Sequence, residues 1–587
     1  MSKNTTEKQN LDLTLLGWVL GKARPYKSLF IWTLFLAVIL APISTIRPYL
    51  IKEMVDGYIM VGDMSGLQKM VFVYIGFVLA NAVFRYFFIY ASALLGQSVI
   101  KDLRIQVYNK ISQFKLRFFD QTPIGTATTR TINDVEAINL VFEQGVLTIL
   151  ADILAVFAVI GIMFYTSWRL TLIALITLPF LILASYIFKE KVKASFQKVR
   201  SQISKMNAFL QERISGMRIV QIFNAEKQEM DKFKNINRDY TQANLDAIFY
   251  YAVFFPVVEF ISALALALMI WLGAEAYLDD KVSFGALVAF PIYLNLLFRP
   301  VRMLADKFNS LQMGLVAADR VKNILDANEH IKNYGSHHVE KLTGDIKFEN
   351  VNFAYDEENF VLNDISFTIK EGETLAIVGS TGSGKSSIIN VLNRFYEFQS
   401  GKITIGGIDI RKYELLSLRR RISIVLQDVF LFNGNVTDNI TLRNEEITLE
   451  MVKAAAETIG ADAFIDMMPE GYDQIIMERG NNLSVGQRQL ISFVRALVYD
   501  PDILILDEAT SSIDTETEAI IQYAIEKLIQ KRTSIIIAHR LSTIRHADKI
   551  MVMDKGKIVE FGIHDDLLQI EDGRYRELYE MQFVEQI

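Results

Sequence analysis

The chain of 587 residues contains no cysteine, so its chemistry cannot use a disulfide bond, a thiol nucleophile or a thiolate metal ligand. Proline and glycine are scarce, at 10 and 31 residues, which excludes collagen-like and low-complexity sequences. Basic residues are not in excess, because 61 lysines and arginines are balanced by 67 aspartates and glutamates. A nucleic acid is therefore not a favoured partner. With 51% hydrophobic and 22% charged residues, the sequence predicts a protein that combines membrane and soluble regions.

Long stretches without charge lie in the first 300 residues. Residues 28–46 and 170–188 contain no charged residue over 19 positions each, and residues 282–298 contain none over 17. A membrane-spanning helix needs about 20 mostly apolar residues, with about 17 as the lower end of the range. These three stretches are therefore predicted to cross a membrane.

Three further apolar windows carry one ionisable residue each, which is Arg85, Asp152 or Glu259. A charge at the centre of a spanning helix costs about 2.5 to 3.5 kcal/mol, whereas each Leu, Ile, Phe or Val returns about 0.3 to 0.6 kcal/mol. The apolar residues of each window together outweigh the cost of its one charge, so insertion into the membrane stays favourable. Six transmembrane helices are therefore predicted. Each charge either lines a cavity or pairs with another helix. The predicted helices are approximately 28–50, 68–98, 141–166, 170–190, 247–272 and 282–304.

The connections between these helices differ in charge and length. Lysine and arginine are concentrated in the second and fourth connections, and cytoplasmic loops are enriched in these residues. The short connections at 53–68, 167–169 and 275–281 contain few basic residues and are predicted to lie outside, with both termini inside. Residues 1–10 are polar, so no cleavable signal peptide is expected. The two long connections show helical apolar spacing, which predicts that the membrane helices continue into the cytoplasm.

The pattern changes after the last apolar window. Residues 326–345 are polar, without apolar periodicity, and are predicted to form a linker. From Ile346 onward, short β-rich runs alternate with helical patterns, as in a largely parallel α/β layer. The predicted organisation is a transmembrane domain at 1–325, the linker, and a soluble α/β domain at 346–587.

A phosphate-binding motif lies at the start of the soluble domain. The sequence GSTGSGKS at 379–386 fits G-x-x-x-x-G-K-[ST], follows a predicted strand and opens a helix. Such a loop points backbone N–H groups at a polyphosphate, and the helix adds its positive N-terminal dipole. Lys385 is predicted to reach the β- and γ-phosphates of a nucleotide, and Ser386 to ligate Mg²⁺. The residues assigned to the nucleotide here are Gly379, Ser380, Thr381, Gly382, Ser383, Gly384, Lys385, Ser386 and Ser387.

In the segment DILILDEAT at 502–510, the apolar run 503–506 is followed directly by two carboxylates, Asp507 and Glu508. Such a run is usually a buried central strand, and its acidic end can simply cap the next helix. Ligands bind at the carboxyl ends of strands in open parallel sheets, so the phosphate loop favours a functional interpretation. Asp507 is predicted to hold Mg²⁺ through water, and Glu508 to act as the general base for an attacking water.

With these motifs the sequence resembles an ATP-binding cassette exporter half-transporter, over nearly its whole length. LSVGQ at 483–487 is similar to the family's signature motif. Gln427 matches the Q-loop, Asp514 in SSID the D-loop, and His539 in IIIAHRLS the switch histidine. Tyr355, which precedes the phosphate loop by 24 residues, resembles the aromatic residue that stacks on adenine. Each residue alone has an ordinary structural explanation, but their order and spacing together favour the functional one.

The resemblance implies a type 1 exporter fold, in which a membrane α-helical bundle of six helices is fused to a C-terminal α/β P-loop ATPase domain. Segments at approximately 118–130 and 212–224 resemble the cytoplasmic coupling segments. Glu508, His539 and Gln427 are the implied catalytic residues, and Ser386, Gln427 and Asp507 the implied Mg²⁺ ligands.

The resemblance also implies a second chain. Ser484, Gly486 and Gln487 would contact the γ-phosphate held by a second cassette, with Asp514 nearby, so that two chains enclose two ATP molecules. Val485 departs from the family's commonest signature, which has glycine at this position. We favour a homodimer over a heterodimer on the sequence, and both stay open.

The likeness is to the lipid A flippase and multidrug exporter branch. It implies a multi-pass protein, predicted for a bacterial inner membrane, that moves lipid-like or amphipathic drug-like substrates outward by alternating access. Its partners would be a second half-transporter, membrane lipids and the substrate. The alternative is an ATP-gated channel, or a regulatory half-subunit that binds nucleotide without pumping. A soluble ATPase that acts on nucleic acid is excluded by the six predicted spans and the acidic balance of charge.

Overall fold

The computed structural model describes residues 12–331, 335–356, 359–507, 515–538, 544–545 and 547–584. The chain divides into two compact units. One comprises Met1–Gln113 and Thr122–Asn328, and the other comprises Phe114–Gln121 and Glu329–Ile587.

Helices are the only regular secondary structure among the described residues of the first unit. Six spans in that part of the chain are long and apolar enough to cross a membrane, which confirms the predicted six-helix bundle. They are Arg24–Ile59, Met64–Ser112, Ile124–Thr166, Trp168–Ser215, Glu226–Leu278 and Phe284–Asp326. The α-helices from the N-terminus to the end of the sixth span are α1 Leu13–Gly21, α2 Lys27–Met54, α3 Met64–Ser112, α4 Leu116–Gln121, α5 Ile124–Thr129, α6 Val135–Leu140, α7 Val146–Thr166, α8 Trp168–Ser215, α9 Met217–Ile222, α10 Glu226–Leu278 and α11 Phe284–Asp326.

Four of these helices are far longer than a membrane is thick. α3, α8, α10 and α11 contain 49, 48, 53 and 43 residues. At a rise of about 1.5 Å per residue each is about 65 Å long or longer, more than twice the hydrocarbon thickness of about 30 Å. The two long connections are therefore mostly helical, as their apolar spacing indicated.

Short helices lie where the long helices turn. The segment 118–130 contains α5 and most of α4, and the segment 212–224 contains α9. The stretch Phe114–Gln121, which includes α4, belongs to the second compact unit. There the Lys115 backbone N–H donates to the Glu329 carbonyl oxygen at 2.6 Å, and the two side chains form an ion pair at 3.4 Å.

The structure pairs one of the three ionisable residues that interrupt the apolar windows. Asp152 on α7 forms an ion pair with Lys307 on α11, and both side chains are largely buried, at 26% and 19% exposed. Asp152 thus joins two membrane helices. Arg85 on α3 and Glu259 on α10 are instead exposed on the surface of the protomer.

We expect the Asp152–Lys307 pair to stabilise the bundle. Replacing either residue with alanine leaves the other charge unpaired, so each single variant should lower the free energy of unfolding. The double variant should lose less than the sum of the two, with a coupling energy of about 1 to 3 kcal/mol, between the values for exposed and buried pairs. Thermal unfolding in detergent of the wild type and the three variants measures this coupling. Additive losses would contradict the pairing.

The second unit contains two main sheets. A six-stranded sheet has the order β12-β11-β3-β10-β9-β6, in which only β12 runs antiparallel to its neighbour, and a four-stranded antiparallel sheet has the order β2-β1-β4-β5. Together they confirm the predicted α/β domain. The strands are β1 Ile346–Ala354, β2 Phe360–Ile369, β3 Thr374–Gly379, β4 Ser400–Ile405, β5 Ile408–Asp409, β6 Ile422–Val425, β7 Gly434–Asn435, β8 Ile475–Ile476, β9 Ile503–Asp507, β10 Thr533–Ile537, β11 Lys549–Asp554 and β12 Lys557–Gly562. The helices are α12 Lys385–Leu392, α13 Leu415–Arg420, α14 Val436–Thr441, α15 Leu449–Thr458, α16 Asp462–Asp466, α17 Val485–Val498, α18 Thr515–Ile529, α19 His564–Leu568 and α20 Arg574–Val584.

The central strand β3 has a core on each of its faces. Leu375 and Ile377 belong to the cluster that also contains β1, β2 and α12, whereas Ala376 and Val378 belong to the cluster around α15 and α17. This alternation follows from the two-residue period of a strand. A strand that is buried on both faces is apolar throughout, which explains the uninterrupted apolar run before the phosphate loop.

Candidate nucleotide site

Parallel strands end together at one edge of the six-stranded sheet. β3, β10, β9 and β6 are consecutive neighbours, and Ile537 of β10 is in register with both Ile377 of β3 and Asp507 of β9. Ligands bind at this edge in open α/β sheets. The ends of four strands therefore lie together at the edge where a ligand would bind. Gly379 ends β3 there, and Asp507 ends β9.

The loop that leaves β3 depends on glycine. Gly379, Gly382 and Gly384 have φ values of +150°, +82° and +105°, in a region that other residues rarely adopt. A Cβ on Gly379 would lie 2.2 Å from the Met553 carbonyl oxygen, and one on Gly384 would lie 2.9 Å from Leu362 Cδ2. Glycine at these positions is thus required by the fold of the loop, which directs the chain into α12.

Lys385 opens α12 and is only 7% exposed. Its Nζ donates hydrogen bonds to the carbonyl oxygens of Gly379 at 2.8 Å and Ser380 at 3.0 Å. Burial lowers the pKa of the Lys385 ammonium, and the carboxylate of Asp507 opposes this shift. The loop thus holds a desolvated cation close to its own backbone.

The residues of the loop fit a polyphosphate. Ser383 Oγ is buried and has no hydrogen-bond partner among the described residues, so it is available to an oxygen-rich ligand. Ser380, Thr381 and Ser386 are exposed. A buried cation, an unpaired hydroxyl and exposed hydroxyls around one glycine-rich turn form the donor set that phosphate groups require.

The candidate magnesium ligands are few, and this suits the ion. Gln427 is exposed two residues after the end of β6, and Asp507 is partly buried at the end of β9. The described residues contain no group of three or more His, Cys, Asp or Glu side chains that could hold a metal ion. Mg²⁺ usually takes one or two protein ligands together with waters and substrate phosphates, so Ser386, Gln427 and Asp507 fit this ion.

Tyr355, just after β1, is held against the start of α12. Its hydroxyl lies 3.1 Å from Ser387 Oγ and accepts a hydrogen bond from Asn390 Nδ2 at 2.9 Å. Its ring packs edge-on against the rings of Phe353 and Tyr396, with centroids at 4.7 and 4.9 Å. The structure therefore brings Tyr355 beside the phosphate loop. No sequence pattern indicated the roles of Asn390 and Tyr396, because both contacts depend on tertiary packing.

The LSVGQ segment begins α17 with a closed capping box. Ser484 Oγ accepts a hydrogen bond from the Gln487 backbone N–H at 3.2 Å, and Gln487 Oε1 accepts one from the Ser484 N–H at 3.0 Å. Val485 is 44% exposed, whereas Gly486 is buried. The spacing of serine and glutamine already encodes this cap, since it fits S/T-x-x-E/Q. The helix start is thus held by the chain's own side chains.

Three of the predicted site residues, Glu508, Asp514 and His539, lie outside the described residues. Their roles stay predictions from the sequence. The described strands β9 and β10 end at Asp507 and Ile537, just before Glu508 and His539 in the chain.

Comparisons with known proteins agree with both units. Residues 30–301 match the family model of the ABC transporter transmembrane region, and residues 362–511 match that of the ABC transporter. An uncharacterised ABC transporter ATP-binding protein of Bacillus subtilis, YknV, is 40% identical, with 96% of this chain and 94% of that protein covered.

Two relatives with functional names are nearly as similar. The ATP-dependent lipid A-core flippase of Desulfotalea psychrophila is 36% identical, over 95% of this chain and 97% of the flippase. YheH of Bacillus subtilis, a probable multidrug resistance ABC transporter ATP-binding/permease protein, is 38% identical, over 89% of this chain and 77% of its own length. With six membrane helices and a P-loop domain in one polypeptide, this chain belongs to the ABC transporter family and is an exporter that couples ATP hydrolysis to transport.

Proposed function

We propose that the chain moves lipid-like or amphipathic drug-like substrates outward across a membrane by alternating access, as one half of a dimer. The observation that carries this proposal is the sheet edge where the phosphate loop and Asp507 meet, in a chain with six membrane helices. The names of the similar flippase and multidrug proteins support this choice of substrate class. We place the protein in a bacterial inner membrane with both termini in the cytoplasm.

In this proposal the chain's own residues divide the work of hydrolysis. The backbone of 379–384 and the cation of Lys385 bind and orient the phosphates, and Tyr355 contacts the adenine. Ser386, Gln427 and Asp507 would hold Mg²⁺, which supplies charge neutralisation at the β- and γ-phosphate oxygens. Glu508 accepts the proton of the attacking water. His539 completes the site beside the γ-phosphate.

The signature segment is assigned to the nucleotide of a second cassette. The N-terminus of α17 is preformed by the Ser484–Gln487 capping box, so its positive end is ready for an anion without further ordering. Ser484, Gly486 and Gln487, with Asp514, would therefore complete the site on the partner chain. We favour a homodimer. A dedicated partner half-transporter that lacks the general-base glutamate would contradict it.

We assign to the segments 118–130 and 212–224 the transmission of conformational change from the nucleotide-binding domain to the membrane helices. The inclusion of Phe114–Gln121 in the cassette unit, with the Lys115–Glu329 contacts, supports this role for the first segment. We retain the proposed domains 1–325, 326–345 and 346–587. The division into compact units at Asn328 and the two family matches are compatible with them.

The test is ATPase activity in proteoliposomes against a panel of lipids and amphipathic drugs. We expect transported compounds to raise the ATPase rate about two- to tenfold and to move against a concentration gradient only with hydrolysable ATP. Flux that also occurs with a non-hydrolysable ATP analogue, and only down the gradient, would instead identify the ATP-gated channel. Nucleotide binding without any stimulated turnover would identify the regulatory half-subunit.

A further inference from the structure

We propose that Arg85 on α3 of one protomer forms an ion pair inside the membrane with Glu259 on α10 of its partner. The inference rests on the proposed dimer and names a surface through which a second copy of this chain docks. A twofold axis makes the interface isologous, so Arg85 and Glu259 of each protomer take part in two equivalent pairs.

Both side chains are exposed in the protomer. Within the part of the chain that the structure describes, neither forms an ion pair or a hydrogen bond through its side chain. Asp152, the third ionisable residue in these windows, does find a partner, Lys307. Charged side chains at membrane depth are rare and almost always paired or turned toward a polar interior. Arg85 and Glu259 therefore need a partner that the described residues of the single chain do not provide.

The two residues lie at the same depth. α3 begins and α10 ends at short connections predicted to lie outside, so depth on both helices can be counted from the same side. Arg85 is 16 residues from Lys69, the nearest charge toward that side, and Glu259 is 16 residues from Glu275. At about 1.5 Å per residue, each lies about 24 Å below its flanking charge. Opposite charges at equal depth can meet when the helices pack side by side.

The surfaces around the two charges are also suited to a partner. α3 packs chiefly against α2, and α10 packs chiefly against α8, so each helix has a free face. Large apolar side chains cover these faces beside the charges, including Tyr86 at 62% and Phe260 at 69% exposed. The hydrocarbon chains of lipid cover apolar groups, but they carry no charge to oppose Arg85 or Glu259 at this depth. A second copy offers both the apolar surface and the opposite charge.

Cysteine cross-linking tests the pair directly, because the natural chain has no cysteine to interfere. Arg85→Cys and Glu259→Cys are placed in separate full-length chains with different affinity tags, co-expressed, and treated in the membrane with a short bismaleimide that joins two thiols. The spacer of the reagent is needed because the long side chains of an Arg–Glu pair hold the Cα atoms farther apart than the about 4.4 to 6.8 Å that a disulfide requires. We expect most of the doubly tagged material to become a covalent dimer, and none to do so without the reagent.

Val71→Cys is the matched control for Arg85→Cys. Val71 lies 14 residues away on the same helix, close to four turns, and is 40% exposed. It therefore shares the exposed face of α3 but lies about 21 Å nearer the outside. Paired with Glu259→Cys, it should give less than a tenth of the cross-linked product. Equal cross-linking with Val71→Cys would show non-specific collision and overturn the proposal.

Charge reversal tests whether the attraction between Arg85 and Glu259 contributes to function. Arg85→Glu and Glu259→Arg should each reduce substrate-stimulated ATPase at least tenfold, and the double reversal should restore it to within about threefold of the wild type. A double reversal as inactive as the single variants would overturn the pair. Absence of the cross-link in a chain that light scattering shows to be dimeric would overturn this inference alone. A monomeric, active wild type would overturn the proposed dimer itself.

Discussion

Replacing Lys385 with alanine is expected to weaken ATP binding at least about 100-fold. The proposed role of its ammonium is to contact two phosphate groups, and each hydrogen bond to a charged group is worth about 1.5 to 3 kcal/mol. Since about 1.4 kcal/mol corresponds to a factor of ten, losing two such contacts costs about 100-fold or more in affinity. Without the side chain, nothing replaces the positive charge that the loop holds at Gly379 and Ser380.

The loss should concern binding rather than folding. Burial lowers the pKa of Lys385, so holding this cation in the folded state costs free energy at neutral pH. This cost is fully present below the folded pKa and disappears as the pH rises above the unfolded value. Its removal offsets the two hydrogen bonds to Gly379 and Ser380. We therefore expect the nucleotide-free variant to melt within a few degrees of the wild type.

Two measurements on the purified full chain separate these effects. Titration with a fluorescent ATP analogue gives the affinity, and thermal unfolding with and without ATP gives the stabilisation by ligand. Lys347→Ala, which removes an exposed lysine from β1 of the same domain, serves as the control and should behave like the wild type. Wild-type affinity in Lys385→Ala would refute the assignment of 379–386 as the phosphate loop.

The features that the sequence predicted best are those encoded locally. The phosphate loop is set by glycines whose positive φ values other residues avoid, and by the apolar strand β3 before it. The membrane helices are set by composition, since a helix satisfies the backbone groups of a long apolar stretch within that stretch itself. In each case the necessary contacts lie within one or two turns of chain.

The features that escaped prediction depend on residues far apart in the chain. The sequence did not decide whether Asp152 lines a cavity or pairs with another helix. Its partner Lys307 lies 155 residues later, beyond the predicted end of the sixth helix. The hydrogen bond between Tyr355 and Ser387 likewise requires β1 to pack against α12. The alternation of strands and helices indicated a parallel layer, but not the separate antiparallel sheet β2-β1-β4-β5. Periodicity does not specify which strands pair.

The substitution Glu508→Gln is expected to lower ATP turnover by about 100- to 10,000-fold, the range that general-base catalysis contributes. Glutamine keeps the size of glutamate but cannot accept the proton of the attacking water. Residues 379–386 are untouched, so the affinity for ATP should stay within a few-fold of the wild type. This outcome is the reverse of that for Lys385→Ala, in which binding itself is lost.

Because binding continues while hydrolysis stops, the Glu508→Gln chain should accumulate with ATP enclosed at its dimer interface. Steady-state ATPase, followed by size-exclusion chromatography with ATP and measurement of retained nucleotide, tests this. Glu526→Gln, an exposed position on α18, is the matched control and should turn over normally. Undiminished ATPase in Glu508→Gln would refute the base assignment. When the chain is purified alone, two copies retaining two ATP would support the homodimer, because Ser484 of each copy then faces the nucleotide of the other. A single copy that binds ATP without dimerising would require a different partner chain.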